Sequence, residues 1–121
     1  MLFRSYPSIA HGAGLAALWG SWARYVYRAA LPRFVRFAEL VWDVTVEPGR
    51  EEDAVLEAIA RQEAYYTAIG MPTNLIELGV QNEDLPAMAL SCSRNKGRMI
   101  PGVMPLSYDD VLAIYHMAMR A

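Results

Sequence analysis

The sequence is short of cysteine, of histidine and of long apolar runs, and each shortage excludes something. Its one cysteine, Cys92, cannot close a disulfide within the chain. A fold held by packing in a reducing, cytoplasmic setting is therefore expected. Only two histidines occur, His11 and His116, and the patterns CxxC, HExxH, GxSxG and GxGxxG are missing. No Asp, Glu, Lys or Arg stands between Arg4 and Arg24, a run of 19. Ser5, Pro7, Ser8, Gly12, Gly14, Gly20 and Ser21 interrupt it, and only residues 13–19 are densely apolar. That is far short of the ~20 residues a bilayer requires, so no membrane span is expected. Lys plus Arg total 11 against 13 Asp plus Glu, a net charge of −2. Such a balance offers no basic field to a nucleic acid. No repeat, low-complexity tract or linker divides residues 1–121, which read as one domain.

What is present points to helices. Hydrophobic residues make up 55% of the chain and charged residues 20%, which excludes a disordered polymer. A chain of 121 residues can bury a core without disulfide or metal staples. The apolar share is high for so small a body, as if part of its surface were meant to be covered. Eighteen alanines and 7 methionines, with Val, Ile and Thr comparatively sparse, favour helix over sheet.

Periodicity and punctuation place the helices. Leu15, Leu18, Trp19, Trp22 and Val26 recur at helical spacing and predict a first helix reaching about residue 30, with one face toward the core. Pro32 suits the start of a second, striped by Phe34, Phe37, Ala38, Val41 and Trp42. After Pro48 and Gly49, the acidic trio Glu51, Glu52 and Asp53 suits a third helix N-terminus. Val55, Ile59, Tyr66 and Ile69 form its buried face, and Gly70 with Met71-Pro72 stops it. Residues 74–79 read as a short turn or helical piece. A further short helix opens at Asn82 or Glu83 and runs to about Ser91, with Pro86 in its first turn. Asn95, Gly97, Pro101, Gly102 and Pro105 make 93–106 a loop. Ser107 caps the last helix, with Asp109 and Asp110 in its first turn and Val111, Leu112, Tyr115 and Met119 on one face. The expectation is an all-α bundle of five to six helices.

Few residues carry chemistry. His116 lies beside the apolar face of the last helix and reads as a solvent-edge histidine. The Gly12-Ala13-Gly14 step lacks the preceding strand and third glycine of a dinucleotide loop. His11 stands immediately before Gly12 at a helix start, where a neutral imidazole can coordinate a metal or simply begin the helix.

Context gives His11 more meaning. His11-Gly12-Ala13-Gly14-Leu15-Ala16, then Trp22, Tyr25-Val26-Tyr27, Pro32-Arg33-Phe34 and Phe37-Ala38, resemble the iron-containing alcohol dehydrogenases, in particular the butanol-dehydrogenase-like branch. Ile69-Gly70-Met71-Pro72-Thr73, Leu75 and Glu77-Leu78-Gly79-Val80 are similar to that family's IGLPTxLxELGV stretch. Glu83-Asp84-Leu85-Pro86 with Met88-Ala89, and Leu106, Asp109-Asp110-Val111 and Ile114-Tyr115, continue the likeness in order.

The resemblance implies a two-domain enzyme in which an α/β domain binds NAD(P) and a helical C-terminal domain holds Fe(2+) or Zn(2+). The metal polarises a small alcohol or aldehyde while hydride passes to or from the nicotinamide. In such enzymes one Asp and three His hold the metal, and the last histidine corresponds to His11. The preceding ligand would fall before Met1, and a further active-site histidine of this branch falls on Met1 itself. The chain is thus expected to be the C-terminal helical part, without the nucleotide-binding domain and inactive alone, because a catalytic metal needs about three protein ligands. Residues 93–105, including Met99, are candidates to line a substrate pocket.

Two alternatives stay open. One is a free-standing helical interaction module derived from the enzyme, pairing with itself or with a separate nucleotide-binding subunit through Trp19, Trp22 and Tyr25. The other is a secreted or membrane-associated helical protein, with Arg4 as the basic flank of a signal segment.

Overall fold

Small side chains decide where the first helix can sit. In the computed structural model, which describes residues 11–120, α1 (His11–Val26) buries Leu18 and Val26 together with the small residues Gly14, Ala16, Ala17, Gly20, Ser21 and Ala23. The small residues let neighbours approach closely, and α1 packs against both α3 (Glu51–Ala68) and α5 (Tyr108–Met117). The remaining helices are α2 (Leu31–Trp42), which lies along α3, and α4 (Leu85–Cys92), which lies along α5. Three single 3-10 turns, Tyr27–Ala30, Ile76–Leu78 and Asn82–Asp84, complete the regular structure. The expected all-α bundle is therefore observed. Among the described residues there is no strand, only an isolated antiparallel bridge between Ile100 and Leu106. No helix of the described residues is long and apolar enough to cross a membrane. The signal-segment reading rests on Arg4, which lies outside the described residues.

The caps follow local chemistry. Gly70, at φ 81°, ends α3 in a left-handed turn. Its N–H donates to the Thr67 carbonyl, and the Met71 N–H reaches the Tyr66 carbonyl at 2.8 Å. This paired pattern favours glycine because no Cβ resists the positive φ. At the start of α5 the Ser107 hydroxyl accepts from the Asp110 N–H (3.2 Å), and Asp110 Oδ2 accepts from the Ser107 N–H (2.9 Å). That reciprocal box satisfies two amides that the helix itself cannot.

Three details differ from the sequence pattern and one agrees with it. The first α-helix stops at Val26 and tightens into the Tyr27–Ala30 turn, where Tyr27 is buried and its hydroxyl donates to Glu52 Oε1 (2.7 Å). Residues 74–79, read as a short turn or helical piece, contain the 3-10 turn Ile76–Leu78, tied by Asn74 Oδ1 accepting from the Glu77 N–H (2.9 Å). Val41 is 59% exposed, because the buried seam of α2 runs through Phe34 and Ala38 to Trp42, whose indole donates to Gln62. Ile69 is 55% exposed because it stands past the last turn of α3.

Between α1 and α3, Gly20 faces Glu63. A Cβ on Gly20 would fall 1.8 Å from Glu63 Oε2. The carboxylate uses that space to receive both arms of the Arg24 guanidinium, at 2.7 and 3.0 Å, with both side chains mostly shielded from water. Bidentate geometry on a rigid helix pair favours such a contact over an ordinary surface ion pair.

Alanine is about 1 kcal/mol better than glycine inside a helix. Gly20→Ala is expected to show that gain in a Glu63→Ala background and to lose it, or become destabilising, in the natural sequence. Paired urea unfolding curves check this, and the same gain in both backgrounds would disprove the contact.

Candidate functional site

A cleft of about 450 Å³ opens beside α1. Leu18, Trp19 and Trp22 of α1 form one wall, Val111 and Ile114 of α5 another, and Ile100, Pro101 and Met104 the edge. Nearly all of this lining is apolar, and its size is in the range of small-molecule sites. Leu15, expected in the core, is 49% exposed because it stands at the rim of this cleft.

The chain reaches this edge through a strained turn. Arg94, Asn95 and Lys96 take φ of 50°, 57° and 69° in succession, a left-handed conformation that non-glycine residues seldom adopt. Ser93, fully buried, holds the turn: its hydroxyl donates to the Ala89 carbonyl (2.8 Å) and accepts from the Lys96 N–H (3.2 Å). The Ile100–Leu106 bridge then closes the loop, with hydrogen bonds of 2.8 and 2.9 Å. Met99, the residue singled out by the sequence, is 53% exposed and is not part of the lining, which Ile100, Pro101, Gly102 and Met104 supply instead.

Two polar groups belong to this otherwise apolar wall. Tyr115 is 1% exposed, and its hydroxyl has no hydrogen-bond partner among the described residues. The Cys92 thiol lies beside it, and both residues line the cleft. Burial pushes the tyrosine well above its usual value and raises the thiol as well, so both remain protonated at neutral pH. Tyr25 donates its hydroxyl to Asp110 Oδ1 (2.5 Å), tying α1 to the cap of α5. That bond comes first, and the Ser107 N–H second, in holding the Asp110 carboxyl below the ordinary aspartate range.

The residues expected to act are dispersed. His11 is the first residue of α1, and its side chain lies outside the described part of the structure. His116 is exposed on α5, as a solvent-edge histidine should be. Trp19 and Trp22 are half-buried against the core, with rings 5.7 Å from Phe37 and 6.1 Å from Phe34. Together with Tyr25 they are largely engaged within the fold rather than held free for a partner. Among the described residues no three His, Cys, Asp or Glu side chains gather as a metal site. The described residues thus do not by themselves fit Fe(2+) or Zn(2+). Sequence reasoning treated Tyr115 as plain core and missed its stranded hydroxyl. The available signal was a tyrosine where a phenylalanine would have filled an apolar stripe.

Comparison with known proteins accounts for the whole helical body. Residues 5–119 match the family described as Fe-containing alcohol dehydrogenase, C-terminal. NADH-dependent butanol dehydrogenase A of Clostridium acetobutylicum is 34% identical over 112 residues, 92% of this chain and 28% of that protein. The crystal structure of NADH-dependent butanol dehydrogenase A from Thermotoga maritima superposes on 98% of this chain with a TM-score of 0.85 at 28% identity, and 31% of that chain is covered. The aldehyde reductase YqhD of Escherichia coli shares the fold, with a TM-score of 0.83 at 19% identity over 97% of this chain and 30% of its own. The chain therefore spans under a third of the length of these relatives.

Two stability measurements test the polar geometry. Tyr115→Phe removes an unsatisfied buried hydroxyl and is expected to leave stability unchanged or raise it by about 1 kcal/mol; a loss above that size would reveal a partner. Asp110→Asn is expected to cost about 1 kcal/mol at neutral pH through the Tyr25 and Ser107 bonds. The folded-state pKa of Asp110 is depressed, so its contribution is complete above the unfolded value and fades as pH falls through the folded one. The gap between the natural chain and Asp110→Asn should accordingly narrow below about pH 4. A pH-independent gap in thermal unfolding would contradict the assignment.

Proposed function

The chain belongs to the iron-containing alcohol dehydrogenase family, in its C-terminal helical part, and from that premise we propose that it forms the metal-side body of an NAD(P)-linked alcohol or aldehyde oxidoreductase and is inactive alone. The observation that carries the reading is the superposition of 98% of the chain on a butanol dehydrogenase, together with the order of matched residues from His11 to Tyr115. His11 is the one metal ligand assigned to this chain. It is the first residue of α1, and a ligand on a helix is positioned more rigidly than one on a loop. Gly12 follows without a side chain, and Met71 Cε lies 3.6 Å from where its Cβ would stand. The other ligands and the nicotinamide site belong to chain outside the described residues. A small alcohol or aldehyde is the proposed substrate and the cytoplasm the proposed location.

A second reading has its own support. Leu40, 73% exposed, adjoins exposed Val41 at the end of α2, while Tyr65 and Ile69 are exposed at the end of α3. A helical module that pairs with a second copy, or with a separate nucleotide-binding subunit, would cover such residues.

Replacing the matched segment of the Clostridium acetobutylicum enzyme with this chain tests the first reading. The chimera is expected to reduce butyraldehyde with NADH, and His11→Ala in the chimera to lower kcat/KM at least ~100-fold, beyond the effect of losing an outer-shell partner. The isolated chain supplied with Fe(II) or Zn(II) and NADH or NADPH should show no turnover, and calorimetric metal titration should not distinguish it from His11→Ala. Turnover by the isolated chain, or tight metal binding that depends on His11, would overturn the proposal that it is inactive and incomplete. A strictly monomeric chain in light scattering would remove self-pairing from the second reading.

A further inference from the structure

We propose that α2 is a self-complementary docking face, along which two copies of this chain pair antiparallel about a two-fold axis at Leu40, each Arg36 meeting the partner's Asp43. The proposal rests on the self-pairing alternative above and is independent of the oxidoreductase reading. Three observations on one helix carry it.

The first is the order of the charges. The N-terminal half of α2 carries Arg33 and Arg36, and its C-terminal end carries Glu39 and the capping Asp43. A helix dipole favours the reverse, with anions near the N-terminus and cations near the C-terminus. Helix α3 follows that rule with Glu51, Glu52 and Asp53 in its first turn, whereas α2 has no acidic residue in its first turn and no basic residue in its last. The charges of α2 thus oppose its own dipole, and local helix stability does not account for them. The second is that these charges are unpaired within the chain. Arg24, Arg28, Arg50 and Arg61 each hold a carboxylate. Arg33, Arg36, Glu39 and Asp43 are all exposed, and none has an ion pair among the described residues. The third is an apolar centre between the two signs. Arg33, Arg36 and Leu40 share a face by their i, i+3, i+7 spacing, turned away from buried Phe34 and Ala38. Leu40 is 73% exposed, and Val41 beside it 59%.

An antiparallel second copy answers all three. It reverses the charge order, so the basic half of each helix lies along the acidic end of the other. With Leu40 on the axis, the two leucines cover one another. Arg36 lies ~6 Å before Leu40 along the helix and Asp43 ~4.5 Å after it. The two-fold therefore brings Arg36 level, to within ~2 Å along the axis, with the partner's Asp43, across a helix separation of about 8–10 Å that a long side chain spans. Symmetry makes the contact twice. A parallel pairing would instead set like charges side by side. Helix α2 has 12 residues and is ~18 Å long. One such pair buries less than the ~1,200 Å² of a standard interface, so the dimer is weak, with a Kd on the order of 100 μM.

Sedimentation equilibrium of the purified chain between about 10 μM and about 1 mM tests this. A monomer–dimer equilibrium is expected, weakened by about 0.5 M salt because its charge pairs are exposed. Arg36→Asp and Asp43→Lys each bring like charges together at both contacts and are expected to weaken the dimer at least ~10-fold. Mixed in equal amounts, the two variants are expected to associate about as tightly as the natural chain, because every contact then joins opposite charges. Lysine suits position 43, where φ is 53°, since the chain already holds Lys96 at φ 69°. Leu40→Glu, at an exposed position, should abolish association while thermal unfolding stays cooperative. A monomer at every concentration would overturn both the proposal and self-pairing. A dimer indifferent to the charge reversals, or a mixture that associates no better than either variant alone, would remove α2 as the face and leave self-pairing standing. None of these results bears on the chimera assay of the oxidoreductase reading.

Discussion

The close approach of α1 to its neighbours is the constraint on which the rest depends. Ala16, Ala17, Gly20, Ser21 and Ala23 set small residues between Leu18 and Val26 on the buried side of α1. Two helix pairs, α2 with α3 and α4 with α5, can then pack against one central element. The missing Cβ of Gly20 does more than save space, since it admits the Glu63 carboxylate to the Arg24 guanidinium. Small residues at a helix contact commonly serve packing alone. Here the same position also houses a charge pair, so packing and electrostatics share one site on the interface.

Asp110 is the second junction. Its carboxylate closes the capping box with Ser107 and accepts the Tyr25 hydroxyl from α1. The start of α5 is thereby fixed relative to α1, and the gap left between them is the cleft. On its other edge, the left-handed turn at 94–96 delivers the 100–106 segment. The cleft is thus bounded by strained or hydrogen-bonded backbone rather than by loose loop.

The chain covers 28% of the length of butanol dehydrogenase A from Clostridium acetobutylicum and matches it across nearly the whole of its own. Fold and family are common to the two, but chemistry requires groups gathered in one place. Among the described residues no cluster of metal-ligating side chains forms. Exposed Leu40, Val41 and Ile69 are apolar side chains near helix ends that a neighbouring body would bury.

Much of the fold was legible in linear order, and the reason is local. Pro32, the acidic trio at 51–53, Gly70 and Ser107 set helix ends through backbone conformations and hydrogen bonds that involve only a few neighbouring residues. The family likeness was legible for the same reason, since it lives in short ordered motifs. Tertiary structure decided the rest, because burial depends on what lies opposite. Periodicity alone could not tell that Val41 and Ile69 face solvent, that Leu15 stands at a cleft rim, or that Met99 turns away while Ile100 and Met104 line the opening. Tyr115 marks the limit most clearly. Its apolar stripe predicts a buried ring, but only the surroundings in three dimensions determine whether its hydroxyl finds a partner. The sequence by itself determined the helices and their family; the packing of α1 against α5 decided which side chains line the cleft and closed the Tyr115 hydroxyl away from water.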